Sequence, residues 1–397
     1  MKQHISPLVP EGMEAEVKLH IEKIQKELDE NSALLVAGNV NVFYSTGRFF
    51  RGYVWIPKEG NPLYFVIKPE NFKEEKNVFF VRKPEQIPDI INSLNINPTQ
   101  RIGLEEDILT YSDSLRLMKI FPEAGFFNGT PALRKARMVK TPYEIEQMRI
   151  DGLKHAAVYS KISSLYRPGM TDVLLQIEIE KELRLAGCLG YARVAGNLME
   201  INLGSVLAGD NADNPSPYEF AMGGAGVDPS LPGGANGTPI LKGQTVMIDM
   251  NGAFNAYQTD MTRVWCPGPP PEIAVKAQQC SIDILRKLEE FTVPGTKVCD
   301  MYLLALDMAE KAGLKEFFMG HSQQSKFIGH GVGIELNEQP PVTPRNTVEI
   351  QEGMTFALEP KFVIPGVGAA GVENTYVVGK KGLECLTNLE ERIMNFN

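Results

Sequence analysis

The chain contains 397 residues, of which 43% are apolar and 22% are charged, and its formal net charge at pH 7 is −9. This length fits one large or two ordinary domains, and this composition excludes a disordered chain, a collagen-like chain and a coiled coil. The excess of acidic side chains argues against a surface that binds nucleic acid or an anionic membrane.

No export signal is expected at the beginning of the chain. Met1–Pro10 lacks the apolar segment of a secretory signal peptide, and nowhere does the chain approach the roughly 18 consecutive apolar residues of a membrane helix. The five cysteines are odd in number, and no pair has the close spacing of a zinc site. We therefore expect a cytoplasmic protein with reduced thiols and no membrane segment.

Helical and strand patterns alternate in the first third of the chain. Within Glu14–Glu30 the apolar positions follow the helical period, at Val17, Ile21, Ile24 and Leu28. Three strands and then two helices are predicted after it, at Ala33–Ala37, Leu63–Ile67, Val78–Val81, Ile87–Leu94 and Ser112–Ile120. This alternation predicts an α/β domain with a parallel or mixed sheet.

A domain boundary is predicted near Pro131–Pro142, and we place the two domains at residues 1–135 and 136–397. Thr141 and Pro142 followed by Glu144 indicate the start of a helix. Proline is favoured in the first turn, and an acid is favoured near the positive end of the helix dipole. The second domain would therefore open with a helix.

The second domain contains an internal repeat. Pro168–Thr171 precedes a helical pattern that ends at Ala186–Gly187, and Pro294–Thr296 precedes another that ends at Ala312–Gly313. The two stretches have the same spacing from motif to end, which predicts duplicated helix–strand halves with a site between them. Chance is the alternative, because Pro-Gly and Ala-Gly are common signals of turns and helix ends.

Two aspartates are predicted to lie side by side on a hairpin. Asp249 ends the β-branched run Thr245–Asp249, and Asp260 follows after Gly252 and Asn255, which suit a turn. Two isolated aspartates would mean little, because most aspartates are solvated surface groups.

Three further polar residues have an apolar or glycine-rich context. His330 is flanked by glycines, Glu359 follows an apolar run, and Glu373 precedes a strand pattern. No lysine or arginine occurs at positions from which it could neutralise all four acids. If these carboxylates converge, they would therefore need cations. Two divalent ions would balance the charge. One imidazole among four carboxylates suits manganese first, and also cobalt, iron or zinc, better than copper.

Together these motifs resemble the creatinase, prolidase, aminopeptidase P and methionine aminopeptidase family. Asn41–Gly47 and Arg101–Glu105 are similar to sequence motifs of the family's N-terminal domain. Arg137–Ile145 is similar to the segment in which the family's interdomain helix begins. All five of the family's metal-ligand positions are matched in order and residue type, by Asp249, Asp260, His330, Glu359 and Glu373. The resemblance implies an α/β creatinase/prolidase-like N-terminal domain and a catalytic domain with the duplicated α+β pita-bread fold.

The resemblance also implies a role for each ligand. Asp249 would chelate one metal ion, and Asp260 and Glu373 would bridge two. His330 and Glu359 would complete the second ion. A hydroxide that bridges the two ions would attack the peptide carbonyl, with Glu359 as the proton shuttle.

The substrate site departs from the family pattern. Histidines of the family's peptidases are replaced here by Gly233, Asn337 and Lys326, and a common arginine is replaced by Gly371. Those histidines bind substrate and stabilise the oxyanion, and the loss of one such donor costs about 10²–10³ in rate. Asn337 can still donate a hydrogen bond and Lys326 can supply positive charge, so both are candidate catalytic residues, with His321 as an alternative to Lys326.

The sequence leaves three functions open. The first is a dinuclear metallohydrolase of the Xaa-Pro dipeptidase or aminopeptidase P type. The second, motivated by the altered histidine positions, is a metal-dependent hydrolase or lyase that acts on a small non-peptide substrate. The third is a non-catalytic binding module, against which the five retained ligand positions argue. The expected partner is a small peptide or another small molecule, and the resemblance implies a homodimer.

Overall fold

The computed structural model of the protein describes residues 6–94, 96, 100–196 and 199–396. The chain divides into two units, Met1–Arg137 and Met138–Asn397. This division falls just after the boundary placed at 135/136. It coincides with the end of a helix, Thr130–Met138.

A mixed sheet forms the centre of the first unit. Its strands are β1 (Ser32–Val36), β2 (Arg51–Pro57), β3 (Leu63–Lys68), β4 (Val78–Phe80), β5 (Arg101–Leu104) and β6 (Gly125–Asn128). The sheet order is β4-β3-β2-β1-β5-β6, and β1 pairs parallel with β5 and antiparallel with β2. The helices are α1 (Glu14–Lys26), α2 (Asn39–Thr46), α3 (Ile87–Ser93), α4 (Tyr111–Ile120) and α5 (Thr130–Met138).

Burial explains why these segments fold as they do. Strand β1 is buried at every position, as expected for a central strand that is covered on both faces. Helix α1 buries Val17, Ile21 and Ile24 on one face, as the spacing predicts, and Leu28 is buried just beyond its end. The predicted α/β domain with a mixed sheet is confirmed.

The second unit combines helices with antiparallel strands. Its helices are α6 (Pro142–Tyr159), α7 (Asp172–Leu185), α8 (Glu272–Phe291) and α9 (Val298–Lys311). Its strands are β7 (Gly204–Ala208), β8 (Val246–Gly252), β9 (Thr259–Trp265), β10 (Gly329–Gly331), β11 (Thr355–Leu358), β12 (Lys361–Ile364), β13 (Gly368–Gly371), β14 (Asn374–Gly379) and β15 (Gly382–Cys385). The described strands form three sheets, with the orders β7-β8-β9, β10-β11-β14-β15 and β12-β13.

Helix α6 begins where the sequence predicts. The Thr141 hydroxyl accepts a hydrogen bond from the Glu144 amide, and the Glu144 carboxylate accepts one from the Thr141 amide. This reciprocal arrangement satisfies two backbone donors that a helix start otherwise leaves unpaired.

The two helices of the predicted repeat are present, since α7 and α9 are each 14 residues long and each follows its Pro-Gly motif. One core packs α7 against the β7-β8-β9 sheet, with Ile179 and Ile248 in the same cluster. Another packs α8 and α9 against β11 and β14, with Ile284, Met301 and Phe356 in the same cluster. None of the helices in the described ranges is long and apolar enough to cross a bilayer.

Candidate metal centre

The hairpin of β8 and β9 carries Asp249 and Asp260 on one face. In its register Asp249 lies opposite Thr262, and Asp260 lies opposite Asn251. Directly opposed residues of an antiparallel pair share a face, and so do residues two apart on one strand. The predicted hairpin is confirmed, with the two aspartates as diagonal neighbours rather than direct partners.

His330, Glu359 and Glu373 lie in or next to neighbouring strands of the β10-β11-β14-β15 sheet. His330 lies in β10 opposite Ala357 of β11, Glu359 follows the last residue of β11, and Glu373 immediately precedes β14. Thr262 and Glu373 form a bridge with a backbone hydrogen bond of 3.3 Å in each direction. This bridge connects β9 to the β10-β11-β14-β15 sheet, so both halves of the repeat contribute candidate ligands to the same cluster.

The five predicted ligand side chains lie together. His330 Nε2 is 3.9 Å from Asp260 Oδ2 and 3.8 Å from Glu359 Oε1. Asp260, His330 and Glu373 each offer a ligand atom within 4.8 Å of the others, and so do Asp249, Glu359 and Glu373. Within the described part of the chain, the cluster therefore contains two sets of ligands, each able to surround a cation.

Neighbouring groups orient these ligands. His330 Nδ1 is 3.1 Å from the carbonyl oxygen of Gly331, so Nδ1 carries the hydrogen and Nε2 is left as a metal ligand. The Thr262 hydroxyl donates a hydrogen bond of 2.7 Å to Glu373 Oε2. Such supporting bonds hold ligands in place before any ion binds.

A buried lysine, which the sequence analysis did not anticipate, lies among the carboxylates and pairs with three of the four acids. Lys361 Nζ is 2.8 Å from Asp249 Oδ2, 2.7 Å from Glu359 Oε2 and 2.9 Å from Glu373 Oε2. Its side chain is 0% exposed. The signal was present in the sequence, because Glu359 and Lys361 are two residues apart in an extended segment and such residues point to the same side.

Burial and mutual repulsion dominate the electrostatics of the cluster. Burial, and then the charges of Asp249 and Glu359, raise the pKa of Asp260 well above its usual value, and Lys361 opposes this shift. The pKa of Glu373 is raised well above its usual value by burial and by Asp260 and Glu359. Burial alone would lower the pKa of Lys361, but the surrounding carboxylates outweigh it and raise that pKa well above the usual value. One ammonium group therefore leaves an excess of negative charge that a metal cation can balance.

The residues present fit one divalent ion. Asp260, His330 and Glu373 supply the oxygen and imidazole ligands that manganese, iron, cobalt or zinc accept. Glu373 Oε1 is buried and has no hydrogen-bond partner among the described residues, as expected of an atom that awaits a cation. The second set, Asp249, Glu359 and Glu373, already surrounds the Lys361 ammonium group, so the expected pair of ions does not fit the cluster as it stands.

Asn337 lines the same cleft as Asp249, Asp260, His330 and Glu359. Its Oδ1 accepts a hydrogen bond of 2.6 Å from the backbone amide of Ala195. The Nδ2 group is then the part of Asn337 that can donate to a substrate.

Lys326 and His321 are not brought to this cleft. Lys326 lines an adjoining groove instead, whereas its neighbour Phe327 lines both the groove and the cleft. His321 is exposed, and its Nδ1 lies 3.3 Å from Asp213 Oδ2. Neither side chain is among the residues that line the cleft.

Arg263 is a supporting residue that the sequence analysis missed. Its buried guanidinium group donates hydrogen bonds of 2.8 Å to the carbonyl oxygen of Glu373 and to Asn374 Oδ1. An arginine inside a strand that is buried at every position needs such partners, and this context was the available signal. Arg263 fixes the backbone that presents Glu373.

Comparisons with known proteins agree with this architecture. The model of metallopeptidase family M24 matches residues 146–380, and the model of the creatinase/prolidase N-terminal domain matches residues 20–139. The chain is 27% identical over 381 residues to the Xaa-Pro dipeptidase of Pyrococcus horikoshii, covering 94% of this chain and 98% of that protein. It is 24% identical over 398 residues to the Xaa-Pro dipeptidase of Lactobacillus helveticus, covering 94% and 98%.

Solved structures show the same fold. The prolidase from Pyrococcus horikoshii OT3 superposes with a TM-score of 0.76 at 22% identity, covering 94% of this chain and 99% of that one. The Xaa-Pro dipeptidase from Bacillus anthracis has a TM-score of 0.77 at 21% identity, covering 96% and 99%. The predicted α/β domain followed by a pita-bread catalytic domain is confirmed. Since the catalytic-domain model matches more than half of its length, the chain belongs to metallopeptidase family M24.

Proposed function

We propose that this enzyme hydrolyses the first peptide bond of small peptides with proline in the second position, as the names of its relatives indicate for those proteins. The observation that carries the proposal is the convergence of four carboxylates and His330, of which Asp249, Asp260, Glu359 and His330 line one cleft. A non-catalytic binding module is disfavoured, because a scaffold needs no such buried charged cluster.

The side chains of the cleft have distinct parts in this hydrolysis. A divalent ion held by Asp260, His330 and Glu373 would polarise the carbonyl of the substrate and acidify water. Glu359 Oε1 faces His330 and is the candidate proton shuttle, while its Oε2 is held by Lys361. The Asn337 amide group, which lines the same cleft, would donate a hydrogen bond to the substrate.

A second candidate is a metal-dependent hydrolase or lyase for a small non-peptide substrate. The observation in its favour is that Asn337 takes a position where the family's peptidases have a histidine, while Lys326 lies in the adjoining groove. A site with fewer cationic donors gives less stabilisation to a peptide oxyanion.

A substrate panel distinguishes the two candidates. The manganese-saturated protein is assayed with Xaa-Pro dipeptides, longer Xaa-Pro peptides and matched peptides without proline, and Xaa-Pro substrates are expected to be cleaved preferentially. Asp260→Ala removes a ligand and should abolish both metal binding and turnover. No turnover of any Xaa-Pro peptide by metal-saturated protein would reject the peptidase and favour the non-peptide reading.

Asn337 and Lys326 provide a matched pair within that assay. Asn337→Asp keeps the acceptor for Ala195 but removes the donor, and it should lower kcat/KM by about 10²-fold, as for other lost oxyanion donors. Lys326→Ala should leave kcat/KM nearly unchanged, because this side chain lines the adjoining groove. Equal effects of the two substitutions would contradict the assignment of Asn337.

We also propose manganese as the metal, a homodimer and a cytoplasmic location. The oxygen-rich ligand set supports the choice of metal. The five free cysteines support a reducing compartment. Metal analysis of protein purified without added metal, light scattering and cell fractionation test these three proposals.

A further inference from the structure

We propose that the ammonium group of Lys361 takes the place of one of the two metal ions, so that the chain binds a single divalent ion at Asp260, His330 and Glu373, with Glu359 beside it. This deepens the proposed function and rests on the cluster being a metal centre. Its test counts ions and needs no substrate.

The position of Lys361 Nζ is that of a cation held by three ligands. It lies 2.7–2.9 Å from one oxygen of each member of the set Asp249, Glu359 and Glu373. A lysine ammonium group has three hydrogens to donate, and here each has a carboxylate acceptor. The group is thus fully paired where a second ion would bind.

The backbone holds Lys361 in this position. It pairs with Gly371 across β12 and β13, and its carbonyl oxygen accepts a hydrogen bond of 2.8 Å from the Met319 amide. A Cβ atom on residue 371 would lie 2.8 Å from Lys361 Cα and 3.0 Å from its Cγ. The absence of a side chain at Gly371 therefore makes room for the stem of the lysine.

Glu359 and Glu373 each use one carboxylate oxygen to bind Lys361, and the other oxygen of each is left for an ion beside Asp260 and His330. Oε2 of Glu359 and Oε2 of Glu373 bind Lys361, while Glu359 Oε1 lies 3.8 Å from His330 Nε2. Glu373 Oε1 is buried with no hydrogen-bond partner among the described residues. One ion beside His330 and Asp260 would satisfy this orphaned oxygen.

A second ion could bind only by displacing Lys361. Metal ions bind carboxylate oxygens at about 2.0–2.2 Å, closer than an ammonium nitrogen does, so both cations would need the same space between the same oxygens. Displacement would leave an ammonium group without partners in a buried position, which is strongly unfavourable. The geometry thus favours a mixed centre of one metal ion and one ammonium group.

The decisive measurement is the number of ions bound by the full-length protein. The protein is stripped with a chelator and titrated with Mn²⁺, and binding is followed by calorimetry, elemental analysis and electron paramagnetic resonance. We expect one tightly bound ion per chain, with the spectrum of an isolated Mn²⁺. Two bound ions, a spectrum of exchange-coupled ions, or no tight binding at all would overturn the proposal.

Substitution of the lysine supplies the second test. Lys361→Ala frees the set Asp249, Glu359 and Glu373, and we expect this variant to bind a second Mn²⁺ and to show exchange coupling. Lys140→Ala is the matched control, because Lys140 is also buried and forms a 2.8 Å ion pair with Glu338. The control should keep one ion.

The two tests cover different failures. If Lys361→Ala does not fold without metal, the wild-type count still decides the proposal. A variant that folds and still binds one ion would contradict the role of Lys361. Failure of the proposed function, by contrast, would appear as a protein with one bound Mn²⁺ that cleaves no Xaa-Pro peptide.

Discussion

Behind the metal centre, individual side chains of α6 form a second buried polar group. Asp151 Oδ1 accepts a hydrogen bond of 2.6 Å from the Phe254 amide, and its Oδ2 accepts one of 2.9 Å from the Thr259 hydroxyl. His155 Nδ1 is 3.1 Å from the same hydroxyl. Since Thr259 precedes Asp260, this group supports the strand that carries a candidate metal ligand.

Burial shifts both titrating groups toward their neutral forms. It raises the pKa of Asp151 to about 6, against the hydrogen bonds from Phe254 and Thr259, which favour the charged form. It lowers the pKa of His155 to about 3. Asp151 in the folded state therefore keeps its proton to a higher pH than in the unfolded chain.

The substitution Asp151→Asn isolates the contribution of this carboxyl group to the pH dependence of stability. Between about pH 4 and pH 6 the folded state binds more protons at Asp151 than the unfolded state does, so this carboxyl makes stability fall as pH rises. The stability of Asp151→Asn relative to wild type should accordingly increase by about 2 kcal/mol over that interval, and by about 3 kcal/mol over the whole titration from about pH 3 to about pH 7, at about 1.4 kcal/mol for each unit of pKa shift. Urea unfolding of both proteins across this range measures the difference, and parallel curves would contradict the shifted pKa.

At the scale of elements, the hairpin of β12 and β13 positions Lys361. Its register pairs Lys361 with Gly371 and Ile364 with Gly368, and Gly366 lies in the turn. The strands are buried throughout, so the hairpin cannot shift to relieve a new contact. The close approach of the two strands is what a side chain at Gly371 would disturb.

A comparison of Gly371→Ala with Gly366→Ala separates two contributions to the free energy of unfolding. One is the close approach of the two strands, and the other is the backbone conformation that favours glycine. Both glycines have positive φ, +151° and +77°, but a Cβ at Gly366 would meet no atom within 4 Å. Gly366→Ala should cost about 1 kcal/mol of backbone strain. Gly371→Ala should cost about 1–3 kcal/mol more, because it overpacks the hairpin against Lys361.

Denaturant unfolding of the two variants measures these costs. Gly371→Ala should also weaken Mn²⁺ binding, since it displaces Lys361 and the glutamates that Lys361 holds. Equal losses of stability in both variants, with unchanged metal affinity, would show that the approach of the strands does not matter.

At the scale of the whole molecule, the candidate metal ligands all belong to one of the two units. Asp249, Asp260, His330, Glu359 and Glu373 lie in Met138–Asn397, whereas the six-stranded sheet β1–β6 belongs to Met1–Arg137. A ligand that binds only the folded state raises the free energy of unfolding of the unit that binds it. The increase is about 2.7 kcal/mol at a free ligand concentration of about a hundred times Kd. Metal binding should therefore act on the second unit.

Hydrogen exchange with and without a chelator tests this division. Addition of Mn²⁺ to the stripped protein should slow amide exchange in β8–β11 and β14 and leave β1–β6 unchanged. Asp260→Ala serves as the control, and its exchange should not respond to Mn²⁺. A comparable slowing in β1–β6 would contradict a metal effect confined to the second unit.

The sequence by itself determined the local structure and the membership of the site. Apolar spacing located α1, the Thr141 capping box located the start of α6, and the turn residues between Asp249 and Asp260 located the β8–β9 hairpin. These features were accessible because they depend on contacts between residues close in the chain. The five ligand positions were accessible because their order and residue types match a known family.

Tertiary structure alone decided how the site is charged and what surrounds it. Lys361 meets Asp249 because β13, the partner of β12, packs against β8, and Lys326 lines the adjoining groove while Phe327 lines the cleft. Such placements depend on distant segments of the chain, and a pattern within one segment carries no information about them. The position of the lysine within the carboxylate cluster, on which the proposed number of metal ions rests, follows from packing rather than from the motif.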